Sequence, residues 1–342
     1  MRALTSPPLF PPGTSQPCLT PAQAFRRLVD AGEDRLPLPG SGQTLQRWQR
    51  LARIGQEDLA LAKLFEGHTD ALAILAELQA PPPPAGSRWG TWCAEPPSHR
   101  VSAVPLSGRQ VRLDGIKAWC SGAASVTHAL MSAWLPGRQP CLVAIDLGQA
   151  GIEIVDAPWP GVGMARAGTA ELRLRGATAT LVGEPGDYTR RAGFWQGGAG
   201  VAACWWGACT GIATPVRRAA ARRDAQSHPH LHAHLGAIDV MLSQSAALLR
   251  ESAAAIDAAP TQACAALALR ARLSVTLAAE DILARVGRAL GPGPLCQDPA
   301  LGQLVADLPV FIQQSHAERD QANLAALLLD SDVNGPREWT LQ

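Results

Sequence analysis

Residues 109–123 read Arg-Gln-Val-Arg-Leu-Asp-Gly-Ile-Lys-Ala-Trp-Cys-Ser-Gly-Ala. On a strand, Trp119 and Ser121 are two residues apart and share a face. A flat ring and a hydrogen-bonding hydroxyl then form one wall, suited to a planar, heteroatom-rich cofactor. The densest polar cluster of the C-terminal half is Ser315-His316-Ala-Glu318-Arg319-Asp320. If this region is one helix, Asp307, Phe311, Gln314 and Glu318 form a stripe, with Ser315 about 80° off it. A carboxylate and an imidazole beside an apolar pocket can move a proton. The alternative is a helix end with its charged face in water.

Other constellations carry less chemistry. His228, His230, His232 and His234 alternate in Ser-His-Pro-His-Leu-His-Ala-His, but no carboxylate or thiol is interspersed. Pro229 places their first half in a loop. The eight cysteines include no Cys-x-x-Cys pair, so no metal site is expected. Gly198-Ala-Gly200-Val-Ala-Ala203 fits a dinucleotide-binding glycine pattern, yet a poor core strand precedes it. Close helix packing explains those glycines better. No Gly-x-Ser-x-Gly elbow, P-loop or His-Glu-x-x-His is present, which removes support for hydrolase, NTPase and zincin chemistry.

Three groups of elements must position these residues. After a proline-rich arm over residues 1–20, Thr20-Pro21 signals a helix start. A second helix covers about 43–54, and Gly55 is expected to separate it from a third that ends before Pro81–Pro84. From Trp89 to Tyr188 apolar runs shorten and turn signals recur. Cys141–Ile145, Ile152–Val155 and Ala170–Leu174 read as strands, and Asp114-Gly115 reads as a hairpin turn. Helical signals return after Phe194 and persist to Leu329. The expected organisation is an arm and short helical domain (1–84), a β-domain (85–190) and a C-terminal helical domain (191–342), in the α+β class.

A net charge of +1 gives no electrostatic case for nucleic acid or an anionic membrane surface. Gly197 to Val216 is uncharged and long enough to cross a bilayer, but its Gly, Ala, Cys and Thr suit a helix buried among others, so no membrane span is expected. The N-terminal residues lack a signal-peptide apolar region, so a cytoplasmic, reducing location is expected.

Together these segments resemble the acyl-CoA dehydrogenase family over about residues 51–328. Leu113-Asp-Gly-Ile-Lys117-Ala-Trp119-Cys-Ser121-Gly resembles the family's Gly-x-Lys-x-Trp-x-(Thr/Ser) motif, its most specific match here. Trp92-Cys-Ala94-Glu95-Pro96 resembles the segment ending in Glu-Pro, and Leu59–His68 the helix ending in a histidine before the β-domain. Pro160-Gly-Val-Gly163-Met164 is similar to the loop near the acyl chain, and Gly291-Pro-Gly293 to a glycine turn near the FAD adenine and pyrophosphate. The resemblance implies a helical domain, a β-barrel domain and a helical bundle holding FAD. Trp119 would pack on the flavin ring and Ser121 bond its edge, with Trp92, Ala94, Gly291 and Gly293 as further cofactor contacts.

The implied reaction is α,β-dehydrogenation of an acyl thioester, with acyl-CoA as the expected substrate. A carboxylate removes the α-proton while the β-hydrogen leaves as hydride to the flavin. The sequence departs from the family here: Ser315 or His316 stands where the catalytic glutamate is usual. The alternative position is empty too, because residues 188–223 contain no carboxylate. Glu318, one turn on, is the replacement base, with His316 its competitor. Ala94 replaces the Thr or Ser before Glu-Pro, removing a hydrogen bond worth about 1 kcal/mol. Two other readings stay open: a catalytically silent flavin- or acyl-binding homologue, and a flavin-dependent monooxygenase on the same fold. The resemblance further implies a homodimer or homotetramer and an electron-accepting flavoprotein partner.

Overall fold

Thr20 opens the first helix, α1 (Pro21–Asp30), through a reciprocal cap. Its hydroxyl accepts the Gln23 N–H, and the Gln23 side chain accepts the Thr20 N–H. The computed structural model describes residues 19–96, 99–156, 159–262 and 264–329, so positions 1–18 of the expected arm lie outside the described residues. Next come α2 (Thr44–Glu57) and α3 (Leu59–Glu77). Gly55 does not separate them; it lies inside α2. The boundary is Asp58, which caps α3 by accepting the Leu61 N–H.

The strands are β1 (Trp89–Trp92), β2 (Val101–Pro105), β3 (Gln110–Cys120), β4 (His128–Leu135), β5 (Gln139–Asp146), β6 (Ile152–Val155) and β7 (Ala170–Val182). Pairing runs β4–β2–β3–β7–β5 and returns to β4, closing a five-stranded barrel. β1 pairs parallel to the first half of β4, and β6 pairs with β7. Alternate residues such as Val111, Leu113, Met131, Ala133, Val143 and Leu172 fill one continuous core.

Asp114-Gly115 is not a hairpin turn. The chain reverses earlier, at Leu106–Gln110, and Asp114-Gly115 lies within β3 opposite a bulge in β7. Asp114 Oδ1 accepts the Gly176 N–H there (2.8 Å), and Gly176 has φ +71°. Gly115 takes φ +128°, and a Cβ on it would overlap the Arg100 carbonyl. Asp-Gly thus served a bulge and a close strand contact rather than a reversal.

After β7 come α4 (Asp187–Arg190), α5 (Gly193–Ala220), α6 (Pro229–Ala258), α7 (Ala265–Leu290), α8 (Pro292–Gln297), α9 (Pro299–Phe311) and α10 (Glu318–Leu329). The uncharged stretch forms most of α5 and is buried among helices. Among the described residues no helix is long and apolar enough to cross a membrane. The glycines of α5 bring α2 in backbone to backbone. A Cβ at Gly207 would overlap the Ala52 carbonyl, one at Gly211 would lie 2.5 Å from the Gln56 oxygen, and one at Gly55 would overlap the Cys204 carbonyl. Gly200, from the dinucleotide-like pattern, faces the Trp48 ring nitrogen. α1, α2 and α3 therefore share one hydrophobic core with α5, α6, α7 and α9.

Gly207→Ala gains about 1 kcal/mol of helix propensity but forces two backbones apart, at a cost of up to about 3 kcal/mol. The variant should be less stable in urea unfolding by about 2 kcal/mol. Gly236→Ala, on α6 with nothing within 4 Å of the added methyl, should instead gain up to about 1 kcal/mol.

Candidate functional site

The site begins inside the barrel. Lys117 is almost fully buried; its ammonium donates to Ser132 Oγ (2.7 Å) and lies 3.6 Å from Glu95 Oε1. Ser132 Oγ and Trp134 Nε1 donate to the two Glu95 oxygens, at 2.5 and 2.8 Å. A buried ammonium needs such partners, since an unpaired charge there costs several kcal/mol. The network fixes the segment after β1 against β3, leaving Ala94 exposed beside the anchored Glu95.

Strand alternation from Lys117 would place Trp119 in the same interior. The structure avoids this with one extra residue in β3 between the pairs Lys117–Leu172 and Cys120–Ala170. Trp119 sits in this bulge with φ +57°, and its side chain is turned out, 56% exposed. Cys120 goes back into the core. The left-handed conformation costs a non-glycine residue about 1–2 kcal/mol, and strain of this kind collects at functional positions. Ser121 follows, partly buried, with its hydroxyl 3.4 Å from Thr169 Oγ1 and its carbonyl accepting the Trp92 Nε1–H at 3.1 Å. Trp92 itself is buried and folds back over Gly90, where a Cβ would lie 2.6 Å from its ring. Trp92 is thus the brace behind Ser121, while Ala94, Trp119 and Ser121 provide outward-facing surface.

α3 closes the other side. Lys63, Leu64 and Gly67 face Trp89–Trp92, Ser121 and Val126 across a small, partly open cavity of about 10 Å³, room for one water. A tricyclic ring does not fit inside it. The Lys63 ammonium lies 3.5 Å from Glu66 Oε2 and 5.5 Å from the Phe311 ring centre. Burial pushes the Glu66 carboxyl above its ordinary range, against the pull of Lys63 and Arg47. Behind them Arg272 donates to the Gly198 and Gln314 carbonyls, at 2.8 and 2.5 Å, and covers the Trp205 ring. Lys63, Glu66 and Arg272 were not singled out from sequence. The available signal was a Lys-Glu pair inside an otherwise apolar stretch of α3.

The expected helical stripe from Asp307 to Glu318 is broken. α9 ends at Phe311, a short 3-10 turn follows, and Ala317 takes φ +42° before α10 starts at Glu318. Asp320 holds the break by accepting from the His316 N–H (2.9 Å) and the Ser315 hydroxyl (3.3 Å). Asp320 and Ser315 are buried; Glu318 and His316 are exposed. Upstream, Asp307 is fully buried, and its Oδ1 accepts the Met164 N–H, joining the loop at Gly163-Met164 to α9. Gly291, with φ +68°, links α7 to α8, and Gly293 lies in the first turn of α8, with open space where each Cβ would stand.

His68 joins the helices to β1. The Trp89 N–H donates to its Nδ1 (3.1 Å), so Nε2 carries the proton and donates to Asp34 Oδ2 (3.0 Å). Among the described residues no group of three or more His, Cys, Asp and Glu is placed to hold a metal. Burial pushes the Cys93 and Cys141 thiols up to about 11 and that of Cys120 to about 12, leaving them poor nucleophiles.

No protein-family model matches this sequence, and no curated protein does. Solved structures do match. FMN-bound TdsC from Paenibacillus sp. A11-2, described as a dibenzothiophene monooxygenase, superposes with a TM-score of 0.72 at 19% identity, covering 94% of this chain and 98% of that one. KijD3 in complex with FMN and a dTDP-linked amino sugar gives 0.76 at 17% identity, over 93% and 88% of the two chains. A steroid acyl-CoA dehydrogenase variant (Tcur3481-Tcur3483) gives 0.71 at 17% identity, over 92% and 90%. This chain has the acyl-CoA dehydrogenase fold. Within that fold, the Trp119–Ser121 face and the α9–α10 break are carried by the barrel and the C-terminal helices respectively.

Burial pushes the Asp34 carboxyl up, but the hydrogen bond from His68, with smaller help from its own backbone and Arg35, holds it below its ordinary value of 3.8. A depressed carboxyl stabilises the fold above that value and loses its contribution as pH falls through the folded value. The stability difference between wild type and Asp34→Asn should therefore be full at pH 6 and shrink below pH 4 in chemical denaturation.

Proposed function

We propose that this chain is a flavin-dependent oxidoreductase, a divergent and shortened member of the acyl-CoA dehydrogenase family. The observation that carries this reading is the β3 bulge, which spends backbone strain to turn Trp119 out beside the Ser121 hydroxyl. The flavin-bound structures of TdsC and KijD3 support the same cofactor class. A bound flavin supplies a two-electron acceptor. Trp119 covers its ring, the Ser121 hydroxyl bonds its edge, and the Glu95–Lys117 network with Trp92 keeps both segments rigid. FAD is the proposed form, with Gly291 and Gly293 at the start of α8 taking its adenine-diphosphate end. Lys63, held by Glu66, sets a positive charge at the rim, where negative charge on a reacting carbonyl is stabilised.

The first reaction proposed is α,β-dehydrogenation of an acyl thioester, an acyl-CoA, with Glu318 as the base and His316 as the alternative. Electrons would pass to a flavoprotein partner, and the enzyme would work as a homodimer or homotetramer. One observation favours flavin-dependent monooxygenation as the second reading. At the α9–α10 break the buried carboxylate, Asp320, is already engaged by Ser315 and His316, and Glu318 is exposed. An α-proton base requires a carboxylate in an apolar pocket, whereas oxygen chemistry on a bound flavin does not.

Trp119→Ala should weaken flavin binding about tenfold through lost ring contact, and Ser121→Ala about fivefold through one hydrogen bond, both read by flavin fluorescence titration. Trp119→Gly should lose the same binding while raising stability by about 1 kcal/mol from relieved strain. Equal flavin affinity in all three would remove Trp119 and Ser121 from the site. Anaerobic addition of an acyl-CoA panel should bleach the flavin band if dehydrogenation is the reaction. A flavin left oxidised by every thioester, but consuming oxygen once reduced by dithionite, would select the monooxygenase.

A further inference from the structure

A second concave site lies on the barrel, made by β2, the Asp114-Gly115 step of β3 and the β4–β5 hairpin. It is a shallow groove, largely open to solvent, with a volume of about 600 Å³, lined by Arg100–Val104, Asp114, Gly115, Trp134–Pro136 and Arg138. That volume falls within the roughly 300–1,000 Å³ range of small-molecule sites.

Its chemistry is specific. Val101 and Ala103 are buried core residues beneath it, and Leu135 and Pro136 add an apolar wall. Arg100 stacks on the Trp134 ring at 4.7 Å, and Glu95 fixes that ring through its Nε1–H. Arg138 enters from the hairpin, where Gly137 and Arg138 both take positive φ, +74° and +61°. Among the described residues neither guanidinium lies within 4 Å of a carboxylate. The nearby acids are already engaged: Asp114 by Arg112 (3.3 Å) and the Gly176 N–H, Glu95 by Lys117, Ser132 and Trp134. Two exposed guanidiniums from separate elements therefore border one apolar, aromatic-lined groove, and neither is paired with a carboxylate among the described residues.

We propose that this groove binds a small anion built on a planar ring, a phosphate or carboxylate held by Arg100 and Arg138 with its ring against Trp134 and the apolar floor. Guanidinium forks match both anions geometrically, and the arginine–tryptophan stack offers a flat surface to a ring. The proposal does not rest on the flavin reading, since none of the groove residues belongs to the Trp119–Ser121 face.

The test is isothermal titration of the full chain, using 5′-AMP and 1-naphthoate as probes and adenosine and inorganic phosphate as controls. One or both probes should bind more tightly than either control, and Arg100→Ala and Arg138→Ala should each weaken binding at least tenfold. Arg217→Ala, an exposed arginine on α5, should leave it unchanged. Binding of 5′-AMP alone assigns a phosphate ligand, and binding of naphthoate alone a carboxylate. Failure of both probes at millimolar concentration overturns the proposal, as does binding that both arginine variants retain. Because these side chains are exposed, unchanged circular dichroism should confirm folded variants. Loss of flavin binding by Trp119→Ala with probe binding intact would separate this site from the proposed flavin site.

Discussion

The helical part of the molecule depends on how closely α2 can approach α5. Gly55, Gly207 and Gly211 remove the side chains that would hold the two backbones apart, and Ala52 and Cys204 supply the facing carbonyls. With that distance set, α5 lies at the centre of a core shared with α1, α3, α7 and α9. Lys63 and Glu66 on α3, and Arg272 on α7, then converge beside Trp205 and Phe311. Glycine has a poor intrinsic preference for helix interiors, so its density in α5 makes sense only through this contact.

The barrel applies a different constraint to the same site. Lys117 must point inward to reach Glu95, and strict alternation would carry Trp119 inward with it. A single extra residue resolves the conflict and leaves its cost in the Trp119 backbone. The buried anchor and the outward-turned ring come from neighbouring positions on one strand. The Trp89 N–H donating to His68, itself held by Asp34, then ties β1 to α3, placing the barrel wall next to the helical polar cluster.

What could be read from sequence divides along physical lines. Residue types at short spacing were legible: Thr20-Pro21 as a cap and the three segments read as strands, whereas strict alternation at Trp119 and Ser121 gave way to a bulge. Features set by partners distant in sequence were not. Asp114-Gly115 carries the same local signature whether it reverses a chain or faces a bulge, and only Gly176 across the sheet distinguishes them. Gly55 reads as a helix break until Cys204 is found against it. Ala317 has no propensity that announces its positive φ, so the α9–α10 break and the exposure of Glu318 were invisible. Arg272 shows its role only where Gly198 and Gln314 meet it.

The chain order of these elements has a kinetic consequence. α2 and α5 are separated by residues 58–192, which include the entire barrel. Bringing two helices together across a flexible segment that long carries a loop-closure cost, and pre-forming the barrel shortens the segment and reduces that cost by about 1 kcal/mol. The barrel is itself closed by long-range pairing of β5 with β7 and β4 with β2, contacts that form slowly in topologies of this kind. Docking of α2 on α5 is therefore easier once strands elsewhere in the molecule have paired. A lesion in the barrel would first be seen as helices that form but fail to dock.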